Sequence, residues 1–107
     1  MEDEKKILEI DIETYSDVNL GDCGVYKYAE SPGFEILLFG YSINGPPVQV
    51  IDLACGEKMP ERIKKAIQSK DVIKIAHNAS FERICLSRYL GLPTGEYLDP
   101  ASWRCSM

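Results

Sequence analysis

Ile7-Leu8-Glu9-Ile10-Asp11-Ile12-Glu13-Thr14-Tyr15 decides the fold and much of the chemistry. Leu8, Ile10 and Ile12 alternate with Glu9, Asp11 and Glu13, and a period of two is that of a β-strand with one apolar and one polar face. Asp11 and Glu13 therefore project from the same face, with attachment points roughly 6.6 Å apart at about 3.3 Å of rise per residue. Two carboxylates held that close repel each other unless a cation lies between them, and a hard divalent ion takes oxygen ligands. An acidic outer face on a half-exposed strand satisfies the same pattern. A third carboxylate from elsewhere in the chain has to separate the two readings.

The chain has 107 residues, enough for one domain with a single core. Its 45% hydrophobic and 27% charged residues are ordinary for a globular protein in water. The first six residues are almost all charged, and no stretch approaches the roughly 20 apolar residues of a membrane span. Neither a signal peptide nor a membrane contact is expected, and the expected location is cytoplasmic. Cys23, Cys55, Cys85 and Cys105 are scattered, with no C-x-x-C pair, and read as reduced core thiols rather than zinc ligands. The net charge of −5 argues against holding nucleic acid by bulk electrostatics. It leaves open an enzyme that meets the phosphodiester through metal ions.

Outward from the first strand, residues 16–24 carry Asp, Asn and two glycines and read as a loop, with a short helical turn over residues 25–29. The apolar run 35–43 ends at Asn44-Gly45-Pro46-Pro47, which is turn chemistry, and residues 48–53 supply the returning strand. Short connections make the first three strands an antiparallel meander. Residues 61–69 place Ile63, Ala66 and Ile67 on one face and Arg62, Lys64 and Lys65 outside it, an amphipathic helix behind Pro60. A fourth strand over residues 71–76, centred on Val72, Ile73 and Ile75, leads into a second helix over residues 79–90, which Gly91 and Pro93 terminate. Residues 103–107 read as a fifth strand, with no helix after it to cover the sheet. The expectation is a fragment of a longer protein whose apolar fifth strand is uncovered and drives self-association into a homo-oligomer.

The candidate third carboxylate is Glu82, on one stripe with Cys85, Leu86 and Tyr89 at offsets of three, four and seven. A glutamate leading an apolar stripe faces the sheet, and a strand-to-helix turn in an open α/β sheet adjoins the crevice where ligands bind. Favourable charge at a helix N-terminus also accounts for Glu82, with Asn78 or Ser80 as the cap. His77, alone at a strand end, reads as structural.

Asp11-Ile12-Glu13-Thr14 resembles the first motif of the DEDD 3′–5′ exonuclease superfamily, and Asn78-Ala79-Ser80-Phe81-Glu82 resembles its second. From Ile7 through Met107 the chain is similar to the N-terminal proofreading region of family A DNA polymerases of bacteriophages and prophages. The resemblance implies an α/β, ribonuclease-H-like mixed sheet: the meander plus further parallel strands, with flanking helices. It implies hydrolysis of 3′-terminal phosphodiesters by two divalent ions, Mg²⁺ or Mn²⁺, about 3.5 to 4 Å apart. Asp11, Glu13 and Glu82 would be the catalytic metal ligands, with Asp11 as the bridge. Thr14, Asn78 and Phe81 would line the path of a single-stranded DNA 3′ end. The implied partner is the polymerase region of a parent chain, in a bacterial or phage-infected cell. The family has Asp where Glu82 stands, and its third motif, on a later helix, has no counterpart here. Residues 1–107 therefore read as a single partial exonuclease domain, with little or no activity by itself. A non-catalytic ribonuclease-H-like binding or scaffold module, and an RNA-directed exonuclease of the same superfamily, share these features. Only contacts to a 2′ hydroxyl would separate RNA from DNA.

Overall fold

The computed structural model describes residues 6–18, 20–93 and 95–105. The strand β1 (Lys6–Tyr15) runs through the middle of a five-stranded sheet of order β3-β2-β1-β4-β5. Between β1 and β2 (Glu35–Ile43) lies the helix α1 (Leu20–Glu30); β3 (Gln49–Asp52), α2 (Glu61–Gln68), β4 (Val72–Ala76), α3 (Ala79–Tyr89) and β5 (Trp103–Cys105) follow. The first three strands are an antiparallel meander, and β4 and β5 run parallel to β1. This is the mixed α/β sheet expected, and it is compatible with a ribonuclease-H-like fold.

The alternation in β1 settles which face is inside. Leu8, Ile10 and Ile12 are buried while Glu9, Asp11 and Glu13 are exposed. Their cross-strand partners continue the inner face, since Ile10 pairs with Tyr41 and Ile12 with Phe39. A bulge opposite Glu13 and Thr14 inserts one extra residue in β2 and lets both Phe39 and Ile36 face inward. Ile63 and Ile67 of α2 and Ile84, Cys85 and Leu86 of α3 complete one core cluster with these residues. The helices thus lie on one face of the sheet. Among the described residues no helix covers the other face, where Val50 is 60% exposed. The hairpin turn forms at the expected place: Asn44 adopts φ 56° and Gly45 φ 105°, and the Asn44 side chain accepts a hydrogen bond from the Ile7 amide at 2.8 Å.

Two expectations are corrected, for the segment after β1 and for the cysteines. The segment after β1 is helical from Leu20, not a loop to residue 24, and it accommodates its glycines through a kink at Gly24 with φ 79°; glycine in a helix interior is unfavourable, so sequence alone points to a loop. In β4 the inward positions are Val72, Lys74 and Ala76, so a lysine enters the core while Ile73 and Ile75 face the other side. The register explains this, because Lys74 lies beside Leu8 and Ala76 beside Ile10. In β5 Trp103 is 7% exposed while Arg104 and Cys105 are exposed, and the exposed apolar side chains Val48 and Val50 lie at the opposite end of the sheet. Among the cysteines whose side chains are described, Cys85 is a core thiol as expected, whereas Cys55 and Cys105 are exposed. The lead-in residues 1–5, the Cys23 side chain, and Ser106 and Met107 of the expected fifth strand lie outside what is described.

Candidate active site at the carboxyl end of the central strand

The strand β4 pairs with β1 only as far as Ile10 beside Ala76. Beyond that point Asp11 to Tyr15 continue with β2 on one flank and the start of α3 on the other. Such a place, where parallel strands end and the chain turns into a helix, is where ligands bind in open α/β sheets. Asp11 lies opposite Gly40, where an added Cβ would come within 3.3 Å of the Asp11 carbonyl oxygen and 4.0 Å of its Cβ. Glycine at that position leaves room beside the Asp11 side chain. Asp11, Gly40 and His77 belong to the lining of one open cavity of about 590 Å³.

Glu82 arrives from the helix layer. It sits in the first turn of α3, on the buried stripe with Cys85 and Leu86, and is 5% exposed. Its Oε1 is buried and has no hydrogen-bond partner. Burial pushes the Glu82 carboxyl up to about 7; the nearby Asp11 charge adds to the rise, against backbone hydrogen bonding at Glu82 itself and at Asn78. An unpaired carboxylate oxygen inside a protein is costly. Glu82 is therefore more than a dipole partner for the helix: it faces the sheet and lies close enough to Asp11 for their charges to interact.

The structure does not close the set of three. Asp11 and Glu13 project from the face opposite Ile10 and Ile12. Among the described residues, no three His, Cys, Asp or Glu side chains stand close enough together to hold a metal ion. Glu82 is near enough to Asp11 for their charges to interact, and Glu13 is exposed on the same strand face as Asp11.

The remaining candidates sit around this pair. Asn78 is the cap of α3, its side chain accepting from the Phe81 amide at 3.4 Å. Asn78→Ala should lower stability by about 0.5 to 1 kcal/mol, or roughly 2 to 8 °C in Tm, as thermal unfolding would show. Thr14 is half-buried, and its hydroxyl shares a hydrogen bond with the Tyr28 hydroxyl at 2.9 Å. The Phe81 ring packs on Tyr28 with centroids 6.0 Å apart. Sequence reasoning missed Tyr28, because no motif contains it and its segment reads as a bare helical turn. His77 is exposed, and its backbone carbonyl accepts from the Cys105 thiol at 3.0 Å.

Among the described residues, no helix is long and apolar enough to cross a membrane. No family model and no solved structure matches the chain. It is 50% identical over 101 residues to a protein named DNA polymerase from Bacillus phage SP02. That match covers 94% of this chain and 15% of the polymerase. Over nearly its whole length, then, the chain is a homologue of one limited segment of a phage DNA polymerase.

Proposed function

We propose that the chain is a 3′–5′ exonuclease region of a DNA polymerase, acting in proofreading on a single-stranded DNA 3′ end. The observation that carries this reading is the buried, unpartnered Glu82 oxygen beside the Asp11 charge. A cation is the group that satisfies both. Asp11, Glu82 and, by rotation of its exposed side chain, Glu13 would hold Mg²⁺ or Mn²⁺, oxygen-preferring ions. When bound, such ions supply activation of water and stabilisation of the leaving 3′ oxygen. The chain's own residues bind and orient the end of the strand: Thr14 through its hydroxyl, Asn78 at the start of α3 and Phe81 through its ring. The net charge of −5 requires that affinity come from these local contacts rather than from a basic surface.

A second reading, a ribonuclease-H-like scaffold without catalysis, draws on the finding that no three-carboxylate cluster is closed among the described residues. For the same reason hydrolysis by the 107-residue chain alone should be weak, and metal binding is the more direct test. Calorimetric titration with Mn²⁺ should show binding that Asp11→Ala removes, and a 3′-labelled oligonucleotide should lose nucleoside monophosphates only with the wild-type chain. Equal, negligible Mn²⁺ binding by both chains would select the scaffold. Competition between DNA and RNA oligonucleotides tests the substrate class.

A further inference from the structure

The helix α2 and its flanks carry charge of the opposite sign to the chain as a whole. Residues 58–70 hold Lys58, Arg62, Lys64, Lys65 and Lys70, with Glu61 the one acid among them, in a chain of net charge −5. Ile63 and Ile67 turn into the core, which leaves Lys58, Arg62, Lys65 and Lys70 exposed. Lys64 is paired with Glu61 at 3.6 Å. Arg62, Lys65 and, at the start of β1, Lys6 form no ion pair with another described residue. Lys6 and Arg62 also border a cavity of about 70 Å³ where β1 and β4 begin. Leu8, Ile43, Ile63, Ala66 and Val72 make up the rest of its lining, and no acidic side chain is among them. Lys6 shares the face of Leu8 and lies five residues before Asp11, roughly 16 Å away along the strand. The notch is therefore separate from the candidate carboxylates.

We propose that this notch and its basic rim dock an acidic polypeptide segment, with one apolar side chain entering beside Leu8, Ile63 and Val72 and flanking carboxylates meeting Lys6, Arg62 and Lys65. This role does not depend on the exonuclease reading. The unpaired cations of the rim are complementary to carboxylates and select against basic partners. The apolar lining rewards a side chain that leaves water. Nucleic acid would match the rim alone, because a phosphodiester backbone has nothing to place on an apolar floor. Net charge also favours a short segment over a long polyanion. Charges beyond the Debye length of roughly 8 Å at physiological salt are largely screened, so a segment confined to the rim meets the cations of α2 and little of the repulsion from Asp11 and Glu13.

The test uses the 107-residue chain and three fluorescein-labelled probes: a short peptide of aspartate and glutamate with one central leucine, the same peptide with serine in place of leucine, and a single-stranded oligonucleotide of equal net charge. Fluorescence anisotropy should show the leucine peptide binding roughly 10-fold more tightly than the serine peptide, more tightly than the oligonucleotide, and less tightly as salt rises. The double substitution Lys6→Gln with Arg62→Gln should weaken leucine-peptide binding roughly 3- to 10-fold. Both positions are exposed and glutamine is a good helix former, so an unchanged Tm should show that the fold is kept. Arg104→Gln, which removes an exposed cation from β5, should leave the affinity within about 2-fold. Equal affinity for the leucine and serine peptides, or no loss in the double variant, would overturn the proposal. So would the absence of peptide binding at low salt, and an oligonucleotide that binds more tightly than the leucine peptide would make the surface a phosphodiester contact instead.

Discussion

Replacing Glu82 by glutamine is expected to stabilise the metal-free chain above pH 7 and to remove its response to divalent ions. In the folded chain burial raises this carboxyl from 4.5 to about 7. Between those values the native state keeps a proton that the unfolded chain has released, so stability falls as pH rises. The contribution is complete below about pH 4.5 and lost once pH has passed 7. Its size, at most on the order of 3 kcal/mol, follows from 1.36 kcal/mol per pKa unit. Glutamine is neutral throughout, so the variant and wild type should match near pH 4 and diverge towards pH 8, with the variant more stable. Other carboxylates titrate in both chains and cancel in the difference. Mg²⁺ or Mn²⁺ should raise the wild-type Tm at pH 8 and leave that of the variant unchanged, because a cation relieves the carboxylate only where one exists. Parallel pH curves for the two chains would show that Glu82 is not held as described.

The second large effect is expected at Lys74. Its side chain is 1% exposed, and its Nζ donates to the Ser69 carbonyl at 2.6 Å and to Ser102 Oγ at 2.7 Å. It also lies 5.8 Å from the centre of the Trp103 ring, a cation–π contact. Lys74 therefore ties the residues after α2 to the start of β5. Removing it as Lys74→Ala leaves a cavity and two unpaired groups, at a cost on the order of 3 kcal/mol or more. Lys74→Met, which refills the space without the charge, should recover much of that loss. Burial lowers the Lys74 ammonium to about 8, against the opposing Asp99 charge. The sign is opposite to that of Glu82: between about pH 8 and 10.5 the unfolded chain binds the extra proton. Wild type should then gain on Lys74→Met across that window. Denaturant titrations of the three chains at pH 7 and 10 measure both effects, and a Lys74→Ala chain as stable as wild type would contradict them.

Several features are legible directly from the chain. The alternation around Ile10 identifies β1 and its inner face, and Asn44-Gly45 marks the hairpin that returns to it. The stripe of Glu82, Cys85 and Leu86 tells which side of α3 is buried. Each is a local rule: a period, a turn residue, a cap. The same rules fail where a local preference is overridden. Gly21 and Gly24 point to a loop, yet the segment is helical on both sides of a break at Gly24, and its far end is fastened to the β1 exit by Tyr28 and by the bond from Ser31 to Asp17. No local pattern marks Lys74 as inward, yet pairing in register with β1 turns it into the core.

The sequence by itself determined the strand, the helix and the carboxylates at their ends, because backbone periodicity and side-chain chemistry are properties of neighbouring residues. Only the tertiary structure decided that Glu82 lies within reach of the Asp11 charge while Glu13 stays on the open face, and that Tyr28 bridges Thr14 to Phe81. Those relations depend on where β4 stops along β1 and how the helices settle on the sheet. They are distances between segments far apart in the chain, fixed by register and packing rather than by any local pattern.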